Sequence, residues 1–198
     1  MTLFAIEENP KPVLPAARAQ LLANPGFGRV FTDHMVVIRY SEEKGWYDAK
    51  VTARAPLSLD PATAVLHYAQ EIFEGLKAYR LADGGLALFR PDANAQRFNT
   101  SAQRMAMPEI SESLFVGACK ALVDIDRDWF PNVDGGSIYL RPFMFASEVF
   151  LGVKPSAEYL FIVIASPVGG YFKSGAPAIS LWISEHYTRA ARGGTGAA

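Results

Sequence analysis

The sequence predicts an α+β protein with α/β-type layers and antiparallel strand pairing. Residues 30–53 and 74–89 each show the pattern of a β-hairpin, in which two strand-like runs flank a short turn. Two amphipathic helical patterns, at 91–105 and 111–126, then follow one another with no strand between them. Because strands and helices do not alternate strictly, the α+β class is favoured.

The first hairpin is predicted from residue type. Residues 30–40 and 46–53 are rich in β-branched and aromatic side chains, which favour strands. They flank a polar stretch at 41–44, which is typical of a turn. The second hairpin is predicted from its glycines: residues 74–81 and 86–89 flank a turn containing Gly84 and Gly85, and glycine adopts positive φ without steric cost.

The helices are predicted from apolar side chains spaced three or four residues apart, which form one face of a helix. In the helix at 91–105, that face consists of Ala95, Phe98, Ala102 and Met105. In the helix at 111–126, it consists of Leu114, Ala118, Leu122 and Ile125.

Two shorter helices and three more strands complete the predicted elements. One helix is expected at 16–23 and the other at 61–70, where Asp60 is the expected N-cap and Pro61 the first helical residue. The expected strands are 137–145, 159–166 and 178–184, and residues 169–178 resemble a linker between two domains.

Composition narrows the classes of function. Half of the 198 residues are hydrophobic, 20% are charged and the net charge is −1, so the chain is expected to be globular and not to bind nucleic acid. A small molecule is the expected ligand. Cys119 is the single cysteine, and the three histidines lack ligand spacing, so neither a disulfide framework nor a metal site is expected.

The sequence offers no targeting or membrane signal. The first residues lack the basic and apolar regions of a secretory signal. The longest apolar run, 159–172, spans about 14 residues, whereas a membrane-spanning helix needs about 20. A cytoplasmic location is therefore expected.

Tyr139 and Arg141 are the first candidate binding residues. Alternation along a strand places them on one face, roughly 6.6 Å apart, with Ile138 and Leu140 on the other. A guanidinium beside a phenol can receive a carboxylate, because its fork of N–H groups matches two oxygens. Spacing alone equally allows a surface arginine stacked on a tyrosine.

Arginines on the first long helix and near the C-terminus are candidate anion ligands. Arg97 and Arg104 lie two helical turns apart with Ser101 between them, and either could be an ordinary solvent-exposed helix residue. Arg189 and Arg192 flank a glycine-rich turn whose N–H groups could bind an anion. That turn has neither a Walker nor a dinucleotide-binding pattern.

Tyr68 and Phe73 lie near a predicted junction between a helix and a strand. Tyr68 could donate a hydrogen bond within a pocket, and Phe73 could form an apolar wall. Both could instead belong to the hydrophobic core, with Gly75 required by the backbone.

The order of short motifs resembles the branched-chain amino acid aminotransferases, which are class IV pyridoxal-phosphate enzymes. The resemblance covers nearly the whole chain from Phe27 onward. Its motifs are FTDHM at 31–35, LHY at 66–68, FEGLKAY at 73–79, LFRP at 88–91, YLRP at 139–142, LGV at 151–153, SPVG at 166–169 and GGTG at 193–196. Between them, the matching residues are Asn94, Arg97, Ser101, Ala102, Arg104, Met107 and Pro108.

The resemblance implies fold type IV and the cofactor pyridoxal 5′-phosphate. Residues 1–168 would form the small N-terminal domain, 169–178 the linker, and 179–198 the start of the large cofactor-binding domain. Arg97 would hold the cofactor phosphate, with Arg189 near it. The Schiff-base lysine directly follows the stretch that matches 193–198, so it would lie immediately after Ala198 and no catalytic residue would lie within the chain.

The resemblance also assigns substrate roles. Tyr139 and Arg141 would receive the distal carboxylate of glutamate. The remaining residues would line the side-chain pocket, some of them in the neighbouring subunit of a homodimer or larger assembly: Phe27, Phe73 and Tyr171 as walls of the pocket, and Tyr68, Leu151 and Val153 as residues lent to the neighbour.

The implied reaction moves an amino group between leucine, isoleucine or valine and 2-oxoglutarate. Two enzymes of the same fold remain as alternatives: D-amino acid aminotransferase and aminodeoxychorismate lyase. A third alternative is a fragment without the lysine that binds a ligand or another chain but catalyses nothing.

Overall fold

The computed structural model of the protein describes residues 4–133, 135–169, 178 and 180–187. Within this part of the chain, one sheet contains eight strands: β1 (Ala5–Ile6), β2 (His34–Ser41), β3 (Gly45–Ala53), β4 (Glu71–Phe73), β5 (Leu76–Arg80), β6 (Leu86–Leu88), β7 (Ser137–Ala146) and β8 (Glu158–Val168). The helices described are α1 (Pro15–Ala23), α2 (Val65–Tyr68), α3 (Pro91–Arg104) and α4 (Glu112–Ile125), followed by a 3-10 turn, Arg127–Trp129.

The strands lie in the order β1-β3-β2-β8-β7-β5-β6, and β4 pairs with β7 beside β5. Apart from the parallel pair β1–β3, every described pair of these strands is antiparallel. Both predicted hairpins are present, as β2–β3 and β5–β6. The predicted α+β class with antiparallel pairing is therefore confirmed.

The two long helices form where the apolar spacing predicts them. α3 begins at Pro91, and α4 is capped by Ser111, whose hydroxyl accepts a hydrogen bond from the Leu114 N–H (3.2 Å). Both helices pack on the sheet through their apolar faces. The buried residues of those faces are Ala95, Phe98 and Ala102 in α3, and Phe115, Ala118, Cys119, Leu122 and Val123 in α4.

The core centres on three aromatic rings from two helices and the sheet. The ring centroids of Phe98 and Phe115 lie 5.4 Å apart, and the ring of Phe161 lies 5.5 Å and 5.8 Å from them. All three side chains are buried. Cys119 is buried in the same cluster, and this burial raises the pKa of its thiol to about 12.

The prediction of a helix at 61–70 was wrong over its first half. The backbone there is hydrogen-bonded to a distant segment: the Ala64 N–H donates to the Glu148 carbonyl (2.9 Å), and the Phe150 N–H donates to the Ala62 carbonyl (3.1 Å). Asp60 caps only a turn, in which its side chain accepts the Ala62 N–H (2.8 Å). The helix is therefore limited to α2.

The strand predicted at 178–184 was also wrong where the structure describes it. Residue 178 and residues 180–184 have no regular secondary structure. The predicted linker, 169–178, lies almost entirely outside the described residues. Two short strands, β1 and β4, were not predicted, because two or three residues are too few to show a period of two.

Candidate functional site

Strand β7 places the candidate residues on one face of the sheet. It lies between β8 on one side and β4 and β5 on the other. Ile138 and Leu140 are fully buried, whereas Tyr139 and Arg141 are half-buried, as alternation along a strand predicts. The two polar side chains therefore share a face that is open to a ligand.

Tyr139 and Arg141 form a single polar group. Arg141 donates a hydrogen bond from Nη2 to the Tyr139 hydroxyl (2.7 Å). Its guanidinium carbon lies 4.4 Å from the centre of the Phe73 ring, which supports the plane of the cation. The Arg141 Nε is buried and has no hydrogen-bond partner among the described residues. This arrangement leaves N–H and O–H donors for a carboxylate.

Aromatic side chains lie directly beside this polar group. The ring of Phe27 lies 5.2 Å from the ring of Tyr139 and is tilted by 57°. Phe27 and Phe73 are 60% and 56% exposed, so both present apolar surface to whatever occupies the site. Tyr171, the third predicted wall, lies outside the described residues.

Arg97 is paired with a carboxylate that the sequence did not single out. Its Nε and Nη2 donate to the two carboxylate oxygens of Glu74, at 2.5 Å and 2.7 Å. The side chain of Glu74 is 4% exposed, whereas that of Arg97 is 55% exposed. A guanidinium has five N–H donors, so three remain on the exposed side and fit an anion such as a phosphate.

Glu74 is held in its charged form by several donors. Burial by itself would raise its pKa, but hydrogen bonds from Arg97, Asn94 and the Gly75 N–H, together with the positive charge of Arg97, hold the pKa below its usual value. The Asn94 amide lies 2.8 Å from Oε2. Conversely, Glu74 raises the pKa of Arg97. Helix α3 thus supplies two of the donors, and the segment between β4 and β5 supplies the carboxylate.

Three further predicted residues lie at exposed positions. Tyr68 is at the end of α2, 43% exposed, and its ring stacks on Phe150 at 6.1 Å. Leu151 and Val153 follow Phe150 and are 69% and 100% exposed. Their role in a neighbouring subunit stays a prediction, as do the roles of Arg97, Phe27, Phe73, Tyr139 and Arg141. Arg189 and Arg192 lie outside the described residues.

His34 has a structural environment. Its Nδ1 lies 2.7 Å from Asp126, and its Nε2 accepts the Asn9 N–H at 3.3 Å. This pattern requires the tautomer with the proton on Nδ1. The neighbouring Asp33 accepts hydrogen bonds from the Trp129 indole (2.9 Å) and the Val13 N–H (2.9 Å). Both residues bind the N-terminal segment to the sheet.

Neither a metal site nor a membrane span is found in the part of the chain that the structure describes. That part holds no cluster of three or more histidine, cysteine, aspartate or glutamate side chains suited to a metal ion. None of its helices has the length and apolar character needed to cross a bilayer.

Sequence reasoning missed Glu74 and Asp126. Each is a carboxylate whose partner is distant in sequence: 23 residues separate Glu74 from Arg97, and 92 separate His34 from Asp126. No local spacing rule connects such pairs. The one available signal was the acidic side chain of Glu74 beside Phe73, in a segment that is otherwise strand-like.

Curated relatives match almost the whole chain. It is 57% identical over 199 residues to a probable branched-chain-amino-acid aminotransferase from Streptomyces coelicolor, covering 99% of this chain and 55% of the relative. It is 52% identical over 196 residues to the branched-chain-amino-acid aminotransferase of Mycolicibacterium smegmatis, covering 98% and 53%. The chain thus spans about half the length of the curated relatives it matches. No family model matches it.

Solved structures support the same fold. The branched-chain amino acid aminotransferase of Escherichia coli superposes with a TM-score of 0.54 at 24% identity, over 71% of this chain and 42% of that one. The enzyme from Thermoproteus uzoniensis with norvaline gives 0.52 at 23% identity, over 71% and 43%. A Thermus structure of such an enzyme with pyridoxamine 5′-phosphate gives 0.51 at 24% identity, over 70% and 41%.

These matches agree with the arrangement of motifs. The relatives are 52% and 57% identical over nearly all of this chain, and the mixed sheet and helices superpose on solved enzymes of that type. The predicted resemblance is confirmed: the chain corresponds to about half of a branched-chain amino acid aminotransferase and has the fold of that part of the family.

Proposed function

We propose that this chain is part of a branched-chain aminotransferase that uses pyridoxal 5′-phosphate. The enzyme moves the amino group between leucine, isoleucine or valine and 2-oxoglutarate. One observation of the structure carries this proposal: a guanidinium–phenol pair lies directly against exposed aromatic rings. One site of this kind offers an apolar surface to an aliphatic side chain and a cationic group to a carboxylate.

The polar part of the site serves glutamate and 2-oxoglutarate. The Tyr139 hydroxyl accepts a hydrogen bond from Arg141, so its own proton is free to be donated to a distal carboxylate oxygen. Arg141 supplies the opposite charge, and its unpartnered Nε adds a further donor. The Phe73 ring keeps the guanidinium in one plane and thereby limits the entropy lost on binding.

The apolar part of the site serves leucine, isoleucine and valine. Phe27 and Phe73 would bury apolar surface of the substrate, each methylene contributing about 0.8 kcal/mol. When such a substrate is bound, Arg141 keeps its hydrogen bond to Tyr139 and its contact with Phe73. The cation therefore does not become an unpaired charge, which would cost several kcal/mol in a dry pocket.

Arg97 fits the role of a phosphate ligand. Its exposed N–H groups point away from Glu74, and the bidentate pair fixes the plane of the guanidinium. When bound, pyridoxal 5′-phosphate supplies the aldehyde carbon that accepts the amino group. Arg189 is proposed as a second residue near the phosphate, and a lysine immediately after Ala198 as the group that carries the cofactor.

The proposal includes a homodimer or larger assembly in the cytoplasm. Leu151 and Val153 are strongly exposed apolar residues in this chain, and a neighbouring subunit's site would bury them. Tyr68 would join them from α2. The names of the curated relatives do not favour a D-amino acid aminotransferase or a lyase.

An assay of amino transfer with the complete protein tests the proposal. With pyridoxal 5′-phosphate present, L-leucine, L-isoleucine and L-valine should each convert 2-oxoglutarate to glutamate. Removing the cofactor by dialysis should abolish the reaction, and adding it back should restore the reaction. Preference for D-leucine would indicate the D-amino acid enzyme. Absence of transfer from all three L-amino acids would contradict the proposal.

A further inference from the structure

Gly75 lies beneath the side chain of Tyr139, at a gap in the sheet. β4 and β5 pair with β7 in one continuous register, with Phe73 opposite Phe143 and Leu76 opposite Leu140. Glu74 and Gly75 fill the interval between them. Opposite this interval is Pro142, which has no N–H to donate, so the regular ladder is interrupted here.

A side chain at position 75 would displace the Tyr139 hydroxyl. A Cβ built on Gly75 would overlap the hydroxyl oxygen and lie 3.0 Å from Cζ and 3.2 Å from Cε2 of that ring. Gly75 is absent from the positive-φ residues, so its backbone would accept alanine. The lack of a side chain is therefore required by Tyr139 and not by the geometry of a turn.

The backbone at this interval is fixed from three directions. The Glu74 N–H donates to the Pro142 carbonyl (2.8 Å), and the Gly75 N–H donates to the Glu74 carboxylate (3.2 Å). The amide of Asn94 donates to the Gly75 carbonyl (3.2 Å). Movement of Gly75 away from the ring would break these bonds, so an added methyl group would shift the tyrosine instead.

We propose that Gly75 is a positioning residue for the receptor of the distal carboxylate. By leaving room for the Tyr139 hydroxyl, it sets the 2.7 Å hydrogen bond between that hydroxyl and Arg141. This inference rests on the proposed function, because it assigns the receptor to glutamate and 2-oxoglutarate. It makes Gly75 a determinant of selectivity for dicarboxylates over aliphatic ligands.

Binding of two simple acids to the complete, cofactor-loaded protein tests the inference. Glutarate carries the distal carboxylate, whereas 4-methylpentanoate carries a branched apolar end in its place. In Gly75→Ala, the Kd for glutarate, measured by calorimetry, should rise about 10- to 100-fold, as expected for the loss of a hydrogen bond to a charged group. The Kd for 4-methylpentanoate should rise by less than about 5-fold.

A double-mutant cycle shows whether the effect passes through the tyrosine hydroxyl. Tyr139→Phe removes the atom nearest to the added methyl group, so Gly75→Ala should then weaken glutarate binding by less than about 3-fold further. Gly169→Ala is the matched control, since no described atom lies within 4 Å of its added Cβ. It should bind both acids as the wild type does.

Three results would overturn the inference: equal losses for the two acids, full additivity with Tyr139→Phe, or no binding of glutarate to the wild type. These outcomes are separate from the proposed function. A wild type that binds glutarate in a Gly75-dependent way but transfers no amino group would keep the inference and refute the activity.

Discussion

Arg141→Met should lower kcat/KM for glutamate about 100-fold, which corresponds to about 3 kcal/mol of lost transition-state binding. For leucine the loss should be less than about 5-fold, because methionine keeps the apolar stem beside the Phe73 ring. The difference arises because only glutamate carries a distal carboxylate for the guanidinium. Each amino acid is measured in its own half-reaction with the complete protein, so the two values do not share a co-substrate.

Arg39→Met is the matched control for this change. Arg39 also lies on a strand, but it is exposed and pairs with Asp48 at 3.4 Å, outside the proposed site. Rates for both amino acids should stay within about 2-fold of the wild type, since exposed ion pairs contribute little to stability. Equal losses for glutamate and leucine in Arg141→Met would show that Arg141 does not receive the distal carboxylate.

Arg97→Met should lower the free energy of unfolding of the cofactor-free protein by about 2 kcal/mol at pH 7. Glu74 is buried and would keep its charge without its cationic partner. The loss is placed below the 3–5 kcal/mol typical of a fully buried pair, because the Arg97 side chain is 55% exposed and solvent screens it. Denaturant unfolding of the complete protein measures the change.

The dependence on pH identifies Glu74 as the origin of this loss. In the wild type the pKa of Glu74 is lowered in the folded state, so its contribution to stability is present above the ordinary value of 4.5 and is lost as pH falls through the folded value. In Arg97→Met the buried carboxyl group takes up a proton at higher pH. The stability difference between the two proteins should therefore shrink as pH falls below about 4.5.

A second substitution completes the test of the pair. Glu74→Gln removes the charge but keeps the size of the side chain, so the double variant with Arg97→Met should be less destabilised than the sum of the single variants predicts. A stability loss that is unchanged between pH 7 and pH 4, or strictly additive effects, would mean that the pair contributes nothing specific.

Much of the fold could be predicted from local patterns. The amphipathic spacing of α3 and α4 and the glycine turn between β5 and β6 act within a few residues, so the sequence displays them directly. The helix expected at 61–70 failed for the opposite reason. The groups that hold residues 62–64 are the backbone carbonyl of Glu148 and the N–H of Phe150, and no local pattern announces a partner so far along the chain.

The candidate site divides in the same way. Alternation alone placed Tyr139 and Arg141 on a common face, because a strand fixes that relation between residues two apart. The supporting contacts could not be predicted, since Phe27, Phe73 and Glu74 approach from separate segments. Their positions follow from the pairing of β4 with β7 and the packing of α3 beside it.

The buried cysteine of α4 makes the chain carry its own reporter of local opening. Cys119 is the single thiol among 198 residues, and a pKa of about 12 leaves almost no reactive thiolate at neutral pH. An alkylating reagent can reach the sulfur only after the helix separates from the sheet. The rate of alkylation therefore measures how often that interface opens, without any introduced label.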